Sequence, residues 1–388
     1  MTEPLDLTVF TLGDSRKVST WSNVPYFFTR TLERQGHRVQ RVDIGPNRLI
    51  KLAYDLVWKG WCALSGSGSK HEYFRSRLNQ RLTERRIDRA LERFPRNHNI
   101  FITFSFGAYR QQRPYSLFCD MTFEKHIHYF EDRRVDALEA WTVQQEQRNL
   151  EGAQHIVSLF PELARELVGT YGDRVKYYGN VVNMEPGEVD PQRLIAEKAG
   201  SREIVFIGSS KYVKGLEALA AGVNEWNARG RAPITIHVIG MQRNELRSAP
   251  PNMVFHGYLD KAVEAQRVKY YDILRRASAF INPTPKWGSF SASCEAMYLC
   301  TPVVLFPYAE FVETFGAEGT TGEFLRDGSP ADVADALERL LHDGQRWRTK
   351  ALAAHKAVEH FTWDRYVRSF VEDIRALRRN GKPASVAA

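Results

Sequence analysis

The chain has 388 residues, 43% of them hydrophobic, which is enough for two packed domains. It carries 54 Lys and Arg against 46 Asp and Glu, a net charge of +8, with a pI near 9.2. That balance points to an anionic partner, with nucleic acid, anionic lipid and phosphorylated substrates all open, while no stretch approaches the roughly 20 apolar residues of a membrane span.

No export signal is expected, since Met1-Thr-Glu-Pro4 leads directly into a strand, and Cys62, Cys119, Cys294 and Cys300 lack metal-ligand spacing. Free thiols in the cytoplasm are therefore expected. Leu7 to Leu12 reads as an apolar strand ending at Gly13, followed by a polar loop that includes Ser19 and Thr20. A helix is expected from about Ser22 through Gln35, with Pro25 in its first turn and Gly36 at its end. Arg38 to Ile44 reads as the second strand, so the opening is Rossmann-like. It has no G-x-G-x-x-G, and a dinucleotide is not indicated.

Residues 47–96 hold 12 basic residues against 5 acidic ones, an excess of 7 that nearly equals the net charge of the chain. Leu49, Leu52, Leu56 and Lys59 follow helical spacing, and Trp58 and Trp61 lie one turn apart. Two readings fit: a basic helix that lies on an anionic membrane surface, or an amphipathic helix whose apolar face packs in the core. Ser65-Gly-Ser-Gly-Ser69 reads as a flexible loop before a second helix. Because the basic residues sit in one helical segment without a recognised motif, nucleic acid is not expected as a partner.

Asn99 to Ser105 and Tyr115 to Cys119 read as strands, the second ending at Asp120. An acid at the end of a parallel strand sits where such sheets bind ligands, which makes Asp120 a candidate. His126 and His128 would share a face on a strand and diverge on a helix. No third ligand accompanies them, so no metal site is expected. Helices are expected over Trp141 to Gly152 and Pro161 to Thr170, with strands at Ile156 to Leu159 and Lys176 to Val182. Pro186, Gly187 and Pro191 mark a boundary, giving domains 1–185 and 186–361. A last helix runs over 362–380 and a flexible tail over 381–388.

Glu203 to Ile207 reads as a strand, followed by Gly208-Ser-Ser-Lys-Tyr-Val-Lys-Gly215 and a helix from Leu216. Backbone N–H groups at a helix start, with Ser209, Lys211 and Lys214 beside them, suit a diphosphate. A surface turn with solvated lysines fits the same residues. Strands ending at Gly240 and at Gly257-Tyr258 follow, then Ala279-Phe-Ile281. Beyond it lie a loop through Trp287, Gly288 and Ser289, a helix over Ser291 to Leu299, and a strand from Val303. Ser289, Ser291 and Ser293, with the amides around Phe290, would make a second anion site, with Glu295 one turn in at its rim, placed to accept from sugar or ribose hydroxyls. An ordinary crossover with a solvated Glu295 fits the same spacing.

The run ending Glu295-Ala-Met297 and Thr301-Pro-Val-Val304 resembles the donor-sugar motif of retaining glycosyltransferases with the GT-B fold, the group 1 or family 4 class. The first Glu of that family's pair falls on Trp287, and its usual glycine falls on Cys300. Gly208 and Lys214-Gly215 resemble the family's Gly-Arg…Lys-Gly loop, with Ser209 at the arginine position. Gly179-Asn-Val-Val-Asn183 resembles its interdomain linker, and the glycine loop at Gly13 its acceptor-side loop.

The resemblance implies an α/β chain of two Rossmann-like domains facing across a crevice, the second binding a nucleotide-diphosphate sugar, UDP- or GDP-linked, as co-substrate. It implies glycosyl transfer with retention and no cofactor or metal, in cell-surface polysaccharide or glycolipid synthesis. Lys214 and Lys211 would meet the diphosphate, Glu295 the ribose, Gly240 and Tyr258 the base. Asp120 would lie against the sugar, and Gly13, Ser19, Thr20, His126 and His128 would face a saccharide or lipid-linked acceptor. The expected location is cytoplasmic or at the inner membrane face. A nucleotide-sugar epimerase and a weakly catalytic sugar-nucleotide-binding protein remain alternatives.

Overall fold

The computed structural model of the chain describes residues 3–66, 72–103, 106, 113–185, 187, 189–286 and 290–380. They form two compact units, one of residues 3–179 with 367–380, the other of 180–366.

The first unit contains β1 (Asp6–Thr11), α1 (Val24–Arg34), β2 (Arg38–Asp43), α2 (Arg48–Ser65), α3 (Arg77–Arg93), β3 (His98–Ile102) and β4 (Tyr115–Cys119). After them come α4 (Phe123–His126), α5 (Ala137–Gly152), β5 (His155–Ser158), α6 (Pro161–Tyr171) and β6 (Val175–Tyr177). The sheet is parallel with order β2-β1-β3-β4-β5-β6. β3, β4 and β5 are buried along their whole length, as parallel strands covered on both faces must be. The apolar stripe of α1 at Val24, Phe27, Phe28 and Leu32 is buried, with Pro25 in the first turn as expected.

The second unit contains α7 (Pro191–Lys198), β7 (Glu203–Ile207), α8 (Val213–Ala228), β8 (Thr235–Ile239), β9 (Met253–Gly257), α9 (Glu264–Arg276) and β10 (Ala279–Asn282). It continues with α10 (Phe290–Tyr298), β11 (Val303–Leu305), α11 (Ala309–Phe315), β12 (Gly322–Phe324), α12 (Pro330–Leu341) and α13 (Gly344–Val358). Its parallel sheet has order β12-β11-β10-β7-β8-β9. Read outward from β7, that is the doubly wound Rossmann order, in which the chain reverses direction between β7 and β10. The final helix, α14 (Trp363–Asn380), starts in the second unit and packs on the first from Val367 onward. There Phe370 meets Phe28 and Phe118 at ring separations of 5.1 and 5.8 Å.

Several boundaries differ from the sequence reading. The strand expected through Val182 stops at Tyr177, because Gly179 has φ +90° and the next residues join the second unit. Val182 N–H donates to Phe361 O at 2.8 Å and Trp363 Nε1 to Asn183 Oδ1 at 3.1 Å, so the units part at Gly179 rather than near Glu185. α5 starts at Ala137, ahead of Trp141, on a capping box between Asp136 and Glu139. Residues 67–69 of the Gly-Ser loop lie outside the described residues.

Helix α2 forms as its apolar spacing implies, but the core-packing reading does not hold. Of its described side chains none is buried.

Candidate functional site

In the second unit the loops after β7, β8 and β10 interlock at the carboxyl ends of the strands. Gly208 N–H donates to Ile239 O at 3.0 Å, and Gly240 N–H to Gly257 O at 2.7 Å. Gly240 has φ +99°, and a β-carbon there would lie 2.4 Å from Gly208 O. A β-carbon on Gly215 would lie 2.3 Å from Thr284 Oγ1, so the first turn of α8 sits directly on the end of β10. Thr284 is held in turn, its hydroxyl donating to Asn282 Oδ1 at 2.6 Å. These close approaches demand glycine and fix the β7–α8 loop at the topological switch point, where doubly wound sheets bind ligands.

Lys211 and Lys214 are both exposed on that loop and on the first turn of α8. Among the described residues no side chain caps the start of α8; the preceding turn takes the Val213 N–H, which donates to Ser210 O, and a ligand would meet the amides that follow it. Ser209 is exposed beside them. The hydroxyl of Ser210 instead donates to Glu245 Oε2 at 2.5 Å, a bond that holds the Glu245 carboxyl below its usual range. The Lys211 ammonium lies 4.8 Å from the centre of the Tyr212 ring. Tyr258, just past β9, is 63% exposed.

Glu295 lies elsewhere than at a solvated rim. It is 2% exposed, and Lys261 Nζ donates to its two oxygens at 2.7 and 2.6 Å. The Tyr270 hydroxyl donates to Oε2 at 2.7 Å. Burial, before the carboxylate beside it, pushes the Tyr270 phenol pKa well above its ordinary value. Lys261 is itself buried, over the Tyr270 ring at 4.3 Å. Neither partner was legible in the sequence, since Lys261 stands in a loop without a motif and 34 residues before Glu295.

Phe290, expected among the donor-site residues, is buried against Phe315 and Tyr308 at ring distances of 5.8 and 6.5 Å. Burying an aromatic ring outweighs leaving it at a polar loop. Ser291 is half-buried on the first turn of α10. Trp287, Gly288 and Ser289 lie outside the described residues.

In the first unit Gly13 ends β1 with φ +105°, and its N–H donates to Asp43 Oδ1 at 2.9 Å. The Thr20 hydroxyl donates to Asp14 O at 2.6 Å, while Ser19 is exposed. Asp120 ends β4, half-buried, and its Oδ1 accepts from Met121 N–H at 2.9 Å. β1 and β4 flank β3, so the Gly13 and Asp120 ends share one sheet edge roughly 10 Å apart. His126 ends α4 and His128 lies in the π-helical turn Ile127–Glu131, both exposed. The helical setting parts them, and His126 meets the Phe130 ring at 5.0 Å. Among the described residues no group of three His, Cys, Asp or Glu could hold a metal ion.

Residues 201–343 match the sequence profile of the family described as "Glycosyl transferases group 1". No curated protein sequence matches the chain at a significant level. Among solved structures, the sucrose-phosphate synthase of Thermosynechococcus elongatus superposes with a TM-score of 0.68 at 12% identity, covering 97% of this chain and 100% of that one. WaaG, a glycosyltransferase involved in lipopolysaccharide biosynthesis, gives 0.64 at 11% identity over 95% of this chain and 99% of its own. A glycosyltransferase from Rickettsia africae gives 0.59 at 13% identity over 97% and 100%. At such identities the likeness shows the fold, which is GT-B.

Proposed function

From a chain whose residues 201–343 match the group 1 glycosyltransferase profile and which has the GT-B fold, we propose an enzyme that moves a sugar from a nucleotide-diphosphate donor to an acceptor with retention of configuration. The observation that carries this reading is the loop Gly208–Gly215. It stands at the switch point of the second sheet, with two exposed lysines and an uncapped helix start.

Breaking the bond between sugar and phosphate concentrates negative charge on the departing diphosphate and positive charge on the sugar. Lys214, Lys211 and the first amides of α8 interact more strongly with the departing charge than with the intact donor, which is what lowers a barrier. The proposal assigns that charge stabilisation to the two lysines rather than to a metal. The departing phosphate oxygen takes the acceptor proton in the retaining mechanism, so no separate base is required.

Glu295 is assigned to the ribose, its buried carboxylate fixed in position by Lys261 and Tyr270. Tyr258 and the Gly240 turn take the base. The acceptor is assigned to the Gly13 loop, Asp120, His126 and His128 of the first unit. The product is a saccharide of cell-surface polysaccharide or glycolipid synthesis.

The test is a thermal-shift and product screen against UDP-, GDP- and dTDP-sugars and the free nucleotides, with Lys214→Ala alongside. One diphosphate nucleotide should stabilise the wild type and not the variant. Its sugar should be transferred or slowly hydrolysed, with kcat about a hundredfold lower in the variant. An isomerised sugar would show an epimerase, and binding without turnover a binding protein. Stabilisation by no nucleotide would end the donor-site reading.

A further inference from the structure

Helix α2 is the feature that the proposed chemistry leaves unused. Six of the described chain's exposed large hydrophobic side chains lie on it: Leu49, Leu52, Leu56, Val57, Trp61 and Leu64. Leu49 is 78% exposed, Leu56 65% and Leu64 91%.

At about 100° per residue, Leu49, Leu52, Leu56, Val57 and Leu64 fall on one side, with the small Ala53, Gly60 and Ala63 among them. Arg48 and Lys59 border that side along one edge, and Trp61 along the other. Tyr54 and Trp58 take the opposite side, where Tyr54 meets the buried Tyr73 ring at 5.1 Å and Trp58 at 6.3 Å. The helix is therefore fastened to the first unit by its aromatic side and turns its leucines outward.

The neighbouring helix adds charge. On α3, Arg77, Arg81, Arg85, Arg89 and Arg93 recur every fourth residue, and all five are exposed. An apolar face that needs hydrocarbon and a row of cations that needs phosphate thus lie on two helices of the same unit, both packed on the turn Tyr73–Arg75 between them. A bilayer containing anionic lipid offers both at once. A second copy of this chain fits poorly, because face-to-face contact would set the excess of 7 positive charges in residues 47–96 against itself. No helix among the described residues is long and apolar enough to cross a membrane, so the contact is with the surface.

We propose that α2 docks in the plane of an anionic membrane, with its leucine side in the acyl boundary and the α3 arginines over the headgroups. The inference stands on the first unit alone and holds whether or not the second unit transfers sugar.

The experiment is vesicle co-sedimentation of the full chain, with phosphatidylcholine vesicles and with vesicles containing phosphatidylglycerol. Binding should be about tenfold stronger or more to the anionic vesicles and should weaken at about 0.5 M salt. Leu52→Glu/Leu56→Glu should abolish it at an unchanged melting temperature, both side chains being exposed. Arg81→Glu/Arg85→Glu should reduce it while leaving the leucine face intact. No binding to either vesicle, or equal binding by wild type and the leucine variant, would overturn the proposal. So would a concentration-dependent dimer of the free protein that the leucine variant dissolves, since a second copy would then cover the face.

Discussion

Lys261 and Glu295 pair through both carboxylate oxygens, and burial makes each charge depend on the other. Removing one partner of such a pair typically costs about 3–5 kcal/mol, because the other stays buried and uncompensated. Lys261→Met should therefore lower chemical-denaturation stability by about that amount. Lys261→Met/Glu295→Gln should recover part of the loss, since a neutral amide replaces the stranded carboxylate. In the donor-site reading both variants should also weaken nucleotide binding, through a misplaced residue 295. Glu295 was visible as a motif residue, but its surroundings were not: nothing in the sequence brings a loop lysine and a tyrosine on α9 to the same carboxylate. Lys214 and Gly215 were legible as a motif, and the structure supplies the reason for the glycine, since a β-carbon there would lie 2.3 Å from Thr284 Oγ1.

At the scale of elements, α14 is tied to the first sheet by a buried polar chain. Ser116 Oγ lies 2.8 Å from His98 Nε2 and 2.9 Å from His155 Nδ1. His155 Nε2 lies 2.6 Å from the Tyr178 hydroxyl, which donates to Asp373 Oδ2 at 2.7 Å. The donors run in one direction if both imidazoles are neutral, each hydroxyl accepting on one side and donating on the other. Burial agrees, holding His98 down to about 3 and His155 to about 4. With folded values depressed below the ordinary 6.5, the unfolded chain takes up protons first as pH falls. Stability is therefore full above about pH 6.5 and is lost progressively toward pH 4 to 3. Denaturant titrations between pH 7 and 4 should show that fall, and His155→Gln should flatten it. None of this chain was legible, because His98, Ser116 and His155 meet only when β3, β4 and β5 lie side by side.

At the scale of the whole molecule, α14 belongs to both units, and its residues from Val367 cover Phe28 and Phe118. Deleting the chain from Val367 should strip that cover from the first unit and leave the second intact. Unfolding followed by calorimetry should then lose or sharply lower one transition while another persists. A single coincident loss of both would show that the units unfold as one. The nucleotide that stabilises the wild type in the donor-site reading should still raise the surviving transition, since the lysine loop lies outside the deleted segment.

The sequence by itself determined the α/β class, the two-domain plan and most of the helices and strands in order, though neither α4 nor α7, which was read as part of the domain boundary. It also determined the positions of the glycine-lysine loop and the Glu295 helix, because periodicity, caps and glycine turns act over a few residues. It left two readings for the basic helix at 48–65, since an apolar stripe has the same spacing whether it meets a core or faces outward. The tertiary structure decided that question by burying none of α2's described side chains. It also moved Glu295 from a solvated rim to a buried pair, set Phe290 in an aromatic cluster and drew the unit boundary at Gly179. Each of these depends on contacts between residues far apart in the chain, and only packing fixes which surfaces lose their water.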